Sequence, residues 1–523
     1  MYDYIVVGAG SAGCVVANRL SEDPTVKVLL LEAGGRDSRR EIHVPAAFSR
    51  LFQGPCDWSY FTEPETQLEN RKLYWPRGKV LGGSSSINAM IYIRGNRNDY
   101  DRWRQMGNAG WSFDEVLPYF KKSQNQERGA SEFHGVGGPL NVADLRCVNP
   151  ISRSFVEAAE QSGYAHNPDF NGAAQEGFGF YQVTQKDGKR HSAAAAFLKP
   201  VSARRNLTVK TKVHVFGVLF DRQRAVGVSF QAGCGSEQAR AGREVILCAG
   251  AIGSPQILML SGVGRADHLS NFNIPVVCEL PGVGRNLQDH PALPVAYDCK
   301  EPVTLMNAET IGSRARYLCF RQGPLTSNVA EAGAFVKTSR AGDTPDLQFH
   351  FGSVFYVNHG LQPVTTHGFT FGPTLVNPKS RGEILLRSSN PLDAPAIRAN
   401  YLSDAHDCEV LVEGVKLARS LAHARAFDRY RGKESLPGEG VKSDDALRTY
   451  VRQAVETLYH PVGTCKMGHD SDAVVDAELR VHGVEALRVV DASVMPFVPT
   501  GNTNAPTIMI AEKACEMIAK ANH

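Results

Sequence analysis

Three absences narrow the reading of this 523-residue chain before any motif is considered. No run approaches the roughly 18–20 apolar residues of a membrane-spanning helix, so an integral helical membrane protein is not expected. Charge of one sign is also lacking. Lys and Arg number 57 against 54 Asp and Glu, a formal net charge of +3, and so small an imbalance gives no footprint for a nucleic-acid partner. Paired cysteines are missing too. Cys14, Cys56, Cys147, Cys234, Cys248, Cys278, Cys299, Cys319, Cys408, Cys465 and Cys515 are dispersed, odd in number and without C-x-x-C or a metal-ligand spacing. Reduced thiols explain that pattern better than a disulfide framework or a metal site. The first strand starts at residue 2, with no charged and apolar leader ahead of it. A cytoplasmic location is therefore expected, with peripheral attachment to the inner membrane left open. No internal repeat or low-complexity tract appears. What is abundant is hydrophobic residues at 42 %, 49 Gly and 28 Pro, the composition of a loop-rich α/β protein of two or three domain-sized units.

The chain opens on Tyr4-Ile5-Val6-Val7-Gly8-Ala9-Gly10-Ser11-Ala12-Gly13, an apolar strand running into G-x-G-x-x-G. A helix opening there would aim free backbone N–H groups and its positive end at one point, which suits a pyrophosphate. Gly8 permits the turn, Gly10 the close approach of phosphate, and Gly13 the packing of helix on strand. A second apolar run, Val26-Lys27-Val28-Leu29-Leu30-Leu31, ends on Glu32, 24 residues after Gly8. A carboxylate there can accept from both hydroxyls of an adenosine ribose, which favours FAD or NAD over NADP.

Residues 35–76 form a long irregular stretch with aromatic members Trp58, Tyr60 and Phe61, of the kind that lines or covers a ligand. Arg77-Gly78-Lys79-Val80-Leu81-Gly82-Gly83-Ser84-Ser85-Ser86-Ile87-Asn88 follows, and can bring backbone donors to an anion or a flat ring. Strand-like alternation occupies 207–211, 213–215, 225–230 and 244–250, the last meeting a helix start at Ser254-Pro255. A second set of strands includes 346–351 and 383–387, with helical stretches near 408–425 and 444–457. The tail has a buried strand, 487–493, ending on Asp491, and a helix candidate at 504–519. A domain built from both chain ends around an insertion is the simplest topology.

Five ordered blocks together resemble the glucose-methanol-choline (GMC) oxidoreductases, a family of FAD-dependent enzymes, over essentially the whole chain. They are the segment from Gly78 to Asn88, the segment from Gly250 to Gly264, Pro281-Gly282-Val283-Gly284-Arg285-Asn286-Leu287-Gln288-Asp289-His290, Tyr459-His460-Pro461-Val462-Gly463-Thr464-Cys465, and Gly501-Asn502-Thr503-Asn504-Ala505-Pro506-Thr507. The resemblance implies an α/β fold: a Rossmann-like FAD-binding domain of discontinuous chain with an α+β substrate domain built on an antiparallel sheet. FAD-binding segments are expected at 1–155, 197–295 and 455–523, and substrate-domain segments at 156–196 and 296–454. It places cofactor contacts on Gly8, Gly10, Ser11, Ala12, Gly13, Glu32, Ala33, Arg77, Gly78, Val80, Gly82, Gly83, Asn88, Ala89, Met90, Val213, Ala249, Gly250, Asp491, Ala492, Thr503 and Thr507. Where some members attach flavin covalently through histidine, this sequence has Ile87, so non-covalent FAD is expected.

Family members oxidise an alcohol by passing its carbon-bound hydrogen to flavin as hydride while a base takes the hydroxyl proton. The family histidine maps onto His460, whose neutral imidazole suits that role. The paired position, Asn or His, maps onto Asn504, which could stabilise developing charge on the substrate oxygen; Asn502 lies two residues away. Glu331 and His350 read as structurally paired groups. The branch implied is that of bacterial alcohol and choline dehydrogenases, with a small alcohol as substrate and a quinone or other carrier as acceptor. An oxidase using dioxygen, a choline dehydrogenase and a flavin-containing lyase are the alternatives. Choline would call for an aromatic cage, for which Phe351, Phe355 and Tyr356 are candidates. The mixed basic and apolar stretch Ile311, Arg314, Arg316, Tyr317, Leu318 and Phe320 motivates the membrane-surface alternative. Oligomeric state is not read from the sequence.

Overall fold

In the computed structural model, which describes residues 1–233, 235–363 and 365–521, two sheets organise the chain; Cys234 lies outside the described residues. The first sheet has Tyr2–Val7 at its centre, paired in parallel with Val28–Glu32 on one side and Gly235–Leu247 on the other, so that Ile5 sits opposite both Leu29 and Val245. Its inner residues Ile5 and Val6 are fully buried, as a parallel strand covered on both faces requires, which is why it reads as a continuous apolar run. Leu207–Thr211 extends one edge in parallel. Leu487–Val489 joins the other side in parallel, Leu487 against Val245. The start, middle and end of the chain therefore share one sheet. Gly235–Leu247 is longer than its sequence signal because its first half pairs antiparallel with Arg224–Ala232.

The helix Ser11–Leu20 lies beside the carboxyl-terminal helix Asn504–Ala521. Arg19 donates to Glu512 from Nε at 2.9 Å and Nη2 at 2.7 Å, and Lys122 approaches the same carboxylate at 3.2 Å. That buried carboxylate, neutralised by two cations, fastens the helices together. Their first residues also meet, Ser11 Oγ donating to Asn504 Oδ1 at 2.7 Å. Two helix N-termini, each with free N–H groups, thus converge on one place.

The second sheet is antiparallel, in the spatial order Arg431–Leu436, Val295–Cys299, Gly368–Leu375, Leu347–Gly352, Ala330–Val336, Gly177–Phe180. Short strands Pro291–Ala292 and Glu456–Thr457 join it, a few residues across the expected segment breaks. Alternation sorts its faces. Phe349 and Phe351 pack under the helix Pro150–Gln161, with the Phe155 and Phe351 rings stacked at 4.7 Å. Gln348, His350 and Gly352 take the opposite face.

The helix expected to start at Ser254-Pro255 begins instead at Gly250 and runs to Leu260, with Pro255 inside it. Proline has no N–H for the carbonyl four residues back, that of Ala251. Thr464 Oγ1 donates to this carbonyl at 2.6 Å, so its hydrogen bond is supplied from another segment and the helix continues. The helices Ala405–Ala422 and Asp444–Ala454 lie within three residues of expectation.

Candidate active site

One large cavity lies between the sheets, and all but three of the residues expected to touch a cofactor line it. Gly13, Val80 and Gly82 do not. A Cβ on Gly13 would stand 1.8 Å from the Gly8 carbonyl oxygen, so this glycine serves helix–strand packing. Val80 is buried beside Ile42 and Phe48. Gly82 backs the loop, its N–H donating to the Ala9 carbonyl at 2.7 Å.

At the glycine-rich end the backbone forms a cradle. A Cβ built on Gly10 would meet only the Cys248 carbonyl oxygen, at 3.9 Å, whereas one on Gly83 would meet Gly10 Cα at 2.7 Å. The Gly82-Gly83 turn is thus pressed against the nucleotide turn, and Gly10 is left open to the cavity. Glu32 accepts from Ala9 N at 2.8 Å through Oε2 and from Gly34 N at 2.7 Å through Oε1. Burial pushes its carboxyl up to about 7 against these bonds. Each oxygen keeps a free lone pair for a ribose hydroxyl. Asp491 caps the helix at Gly250, Oδ2 accepting from Gly250 N at 2.8 Å and from Ser254 Oγ at 2.6 Å. An adenosine and a pyrophosphate fit this donor set, and the cavity continues past it to the histidine block.

The loop reaching the other end is held from behind. Arg190 is buried without a carboxylate partner among the described residues. It donates from Nη1 to the Ser85 carbonyl at 3.1 Å and to Asn88 Oδ1 at 2.7 Å. Met90 N also donates to Asn88 Oδ1. Both partners can only donate, so Asn88 presents its Nδ2 to the cavity. Arg77 ties this loop to the histidine block, reaching the Tyr459 carbonyl at 2.6 Å and Ser84 Oγ at 2.8 Å.

His460 faces the cavity at this second end. Its backbone N–H donates to Asp289 Oδ1 at 2.7 Å, and Thr457 Oγ1 donates to Asp289 Oδ2 at 2.5 Å. The ring is held on both sides, Nδ1 lying 3.0 Å from His290 Nδ1 and Nε2 lying 3.3 Å from Asn502 Nδ2. Burial first, then the neighbouring His290, His350 and Arg77, hold His460 well below the usual 6.5, so it is neutral at physiological pH.

Asn502 meets His460, whereas Asn504, the expected partner, also lines the cavity but has its Oδ1 engaged by Ser11 at the start of the last helix. Gly501, just ahead of them, has φ +135°, and a Cβ there would stand 2.4 Å from Ile93 Cγ2. His350 lines the cavity, while Glu331 is a structural group accepting from Asn149 N at 2.7 Å and Ser152 Oγ at 2.8 Å. Of the three aromatic candidates only Tyr356 lines the cavity; Phe351 belongs to the core on the other face, and Phe355 packs over Gly368. Residues the sequence reading missed, Phe48, Phe52 and Tyr459, complete the aromatic wall, with Tyr459 OH held by His359 Nδ1 at 2.7 Å. Glu456 lies beside them, pushed up to about 7 by burial.

A family model described as GMC oxidoreductase matches residues 2–292, and another of the same description matches residues 378–511. The chain belongs to the GMC oxidoreductases. It is 48 % identical over 530 residues to an alcohol dehydrogenase [acceptor] of Pseudomonas putida, covering 99 % of this chain and 96 % of that protein. It is 46 % identical over 530 residues to an oxygen-dependent choline dehydrogenase of Chromohalobacter salexigens, covering 99 % and 94 %. Among solved structures, pyridoxine 4-oxidase from Mesorbium loti superposes with a TM-score of 0.92 at 32 % identity, covering 100 % of both chains. This GMC chain is an FAD-dependent oxidoreductase acting on CH–OH groups.

Proposed function

We propose that this enzyme oxidises a primary alcohol to an aldehyde and passes the electrons to a quinone or another non-oxygen acceptor, with His460 as the base and non-covalent FAD as cofactor. The observation that carries this reading is the facing pair of His460 Nε2 and Asn502 Nδ2, 3.3 Å apart on the cavity wall. A substrate hydroxyl that replaces this contact from the cavity side would donate its proton to Nε2 and accept from Nδ2. As the proton leaves, Asn502 stabilises the negative charge growing on oxygen. His460 is neutral and desolvated, and its Nε2 lone pair, which faces Asn502 Nδ2 in the resting site, becomes available when substrate displaces that contact. Bound FAD supplies the acceptor for the carbon-bound hydrogen. Asp289 and Arg77 hold the histidine block through its backbone, and Phe48, Phe52 and Tyr356 exclude water from the reacting atoms. The buried side chain of Ile87 offers no nucleophile for attachment to flavin.

The acceptor assignment follows the Pseudomonas relative, named for an unspecified acceptor. Anaerobic mixing with aliphatic primary alcohols and choline is expected to bleach the flavin, and a soluble quinone to restore colour faster than air. Equal turnover with air alone would make the enzyme an oxidase. Aldehyde release from a cyanohydrin without bleaching by any alcohol would make it a lyase.

Peripheral attachment to anionic lipid from the cytoplasmic side is the accompanying proposal. Among the described residues no helix is long and apolar enough to cross a membrane. On the helix Ile311–Phe320, Ile311, Leu318 and Phe320 are 88 %, 53 % and 69 % exposed beside Arg314 and Arg316. Co-sedimentation with anionic vesicles at low salt is expected, and its absence would end the proposal.

A further inference from the structure

The lone pair on His460 Nε2 is set from outside the catalytic pair. The observation starts at the Phe349 carbonyl, which can only accept. Tyr181 OH lies 2.6 Å from it and must give it its single proton. The phenolic oxygen is then left as an acceptor toward Gln348, whose facing atom, 2.9 Å away, is therefore Nε2. The same Nε2 lies 3.2 Å from the Asn502 side chain, which must turn Oδ1 toward it. Asn502 Nδ2 consequently points at His460, and the ring nitrogen it meets must accept. His460 then carries its proton on Nδ1 and donates it to His290 Nδ1.

We infer that Tyr181 and Gln348 are positioning residues that fix the tautomer of His460, keeping Nε2 unprotonated on the cavity side through a chain of hydrogen bonds polarised from the Phe349 carbonyl. Two further features accord with this. Among the described residues the Oε1 atom of Gln348 has no hydrogen-bond partner, and both contacts of the amide are made through Nε2. Gly333, inside the strand Ala330–Val336, leaves the space the phenol needs, since a Cβ there would stand 2.1 Å from Tyr181 OH. His350 shares the neighbourhood and stacks on the Tyr181 ring at 5.6 Å, and its Nδ1 is engaged by Thr374 Oγ1 at 3.3 Å. It is outside the chain of donors. Tyr181 and Gln348 themselves do not line the cavity, so they act through Asn502.

The inference rests on the reading of His460 as base, yet its test reads the tautomer directly. Holoenzyme labelled with ¹⁵N-histidine would be compared with Gln348→Met and Tyr181→Phe by two-bond ¹H–¹⁵N correlation, His460 being assigned by its absence from His460→Ala. The expected result is a non-protonated Nε2 in the parent and a shift toward protonated Nε2 in both variants. Anaerobic bleaching by alcohol should slow about tenfold, the weight of one ordinary hydrogen bond, with alcohol affinity and flavin content retained. A parent protonated on Nε2, or Gln348→Met with an unchanged tautomer, would overturn the inference. If Gln348→Met does not fold, Tyr181→Phe, which removes one oxygen atom, decides by the same two readouts. His460→Ala with full alcohol turnover would instead refute the base assignment and leave the tautomer result standing.

Discussion

The assignment of Asn502 in place of Asn504 makes the sharpest prediction. Both are amides two residues apart, and truncation of each should have a different effect. Asn502→Ala removes the donor facing the substrate oxygen. Its contact with Nε2 is long at 3.3 Å, so the resting enzyme gains little from it, and its worth is concentrated where the oxygen acquires charge. Removing one preorganised donor of that kind costs about 3–4 kcal/mol, or ~10²–10³ in rate. The loss should fall on the rate constant for flavin bleaching and leave alcohol affinity nearly unchanged. Asn504→Ala removes the 2.7 Å bond with Ser11 at the junction of two helices, an ordinary hydrogen bond of about 1 kcal/mol. It should lower thermal stability and weaken flavin retention, while the flavin-loaded fraction bleaches within ~3-fold of the parent, as expected of a side chain engaged by Ser11 and not by His460. The assay is anaerobic stopped-flow at 450 nm over a range of alcohol concentrations, normalised to bound flavin. A hundredfold loss in Asn504→Ala with Asn502→Ala near the parent would refute the assignment and restore the sequence-based one.

The pH profile of the same bleaching step should be flat from about pH 8 down to 6.5. His460 is held well below 6.5 by burial and nearby positive charge, so the reactive neutral form is present above its pKa and lost only as pH falls through that lower value. An acid limb centred at or above 6.5 would contradict this. Glu32→Gln should raise the FAD dissociation constant. Both Glu32 oxygens accept from backbone N–H, so an amide must turn its NH₂ toward one of them, at about 1–3 kcal/mol or ~5–150-fold; fluorescence titration of the apoprotein reads it. Thr464→Val leaves the Ala251 carbonyl beside Pro255 without its donor, and should lower the urea midpoint by an amount worth about 1–3 kcal/mol. An unchanged midpoint would show that water replaces the threonine hydroxyl.

What the sequence disclosed depended on how local each feature is. The first βαβ unit was legible because strand, glycine turn, helix and terminal Glu32 occupy the 31 residues from Tyr2 to Glu32 and each has its own chemical signature. The return of the chain to the same sheet was legible because Leu487–Val489 is again an apolar strand followed by an acid. Pro255 misled because a proline marks a helix boundary only while the carbonyl behind it lacks another partner, and that partner, Thr464, is 213 residues away. Alternation in Leu347–Gly352 predicts that His350 and Phe351 face opposite ways, but not which way is the core. Phe155, on a helix from another segment, decides that. The aromatic wall escaped for the same reason, since Phe48 and Phe52 come from an irregular stretch without periodicity to orient them.

The deepest part of the site was hidden by a different limit. Residue type says that an amide or an imidazole can both donate and accept; it does not say which atom does which. Direction enters only where a group with one role is fixed against the others. Here that group is the Phe349 carbonyl, whose acceptor character passes through Tyr181, Gln348 and Asn502 to His460. Four segments of chain contribute to that sequence of bonds, and none carries a motif that names its role. His460 was therefore nameable as the proposed base from the resemblance of the Tyr459-to-Cys465 block, whereas the nitrogen proposed to serve follows from the three-dimensional arrangement of groups distant in sequence. The same logic separates the two asparagines. Their identities are equal and their contacts differ, one meeting Gln348 and His460 and the other closing a contact between helix ends.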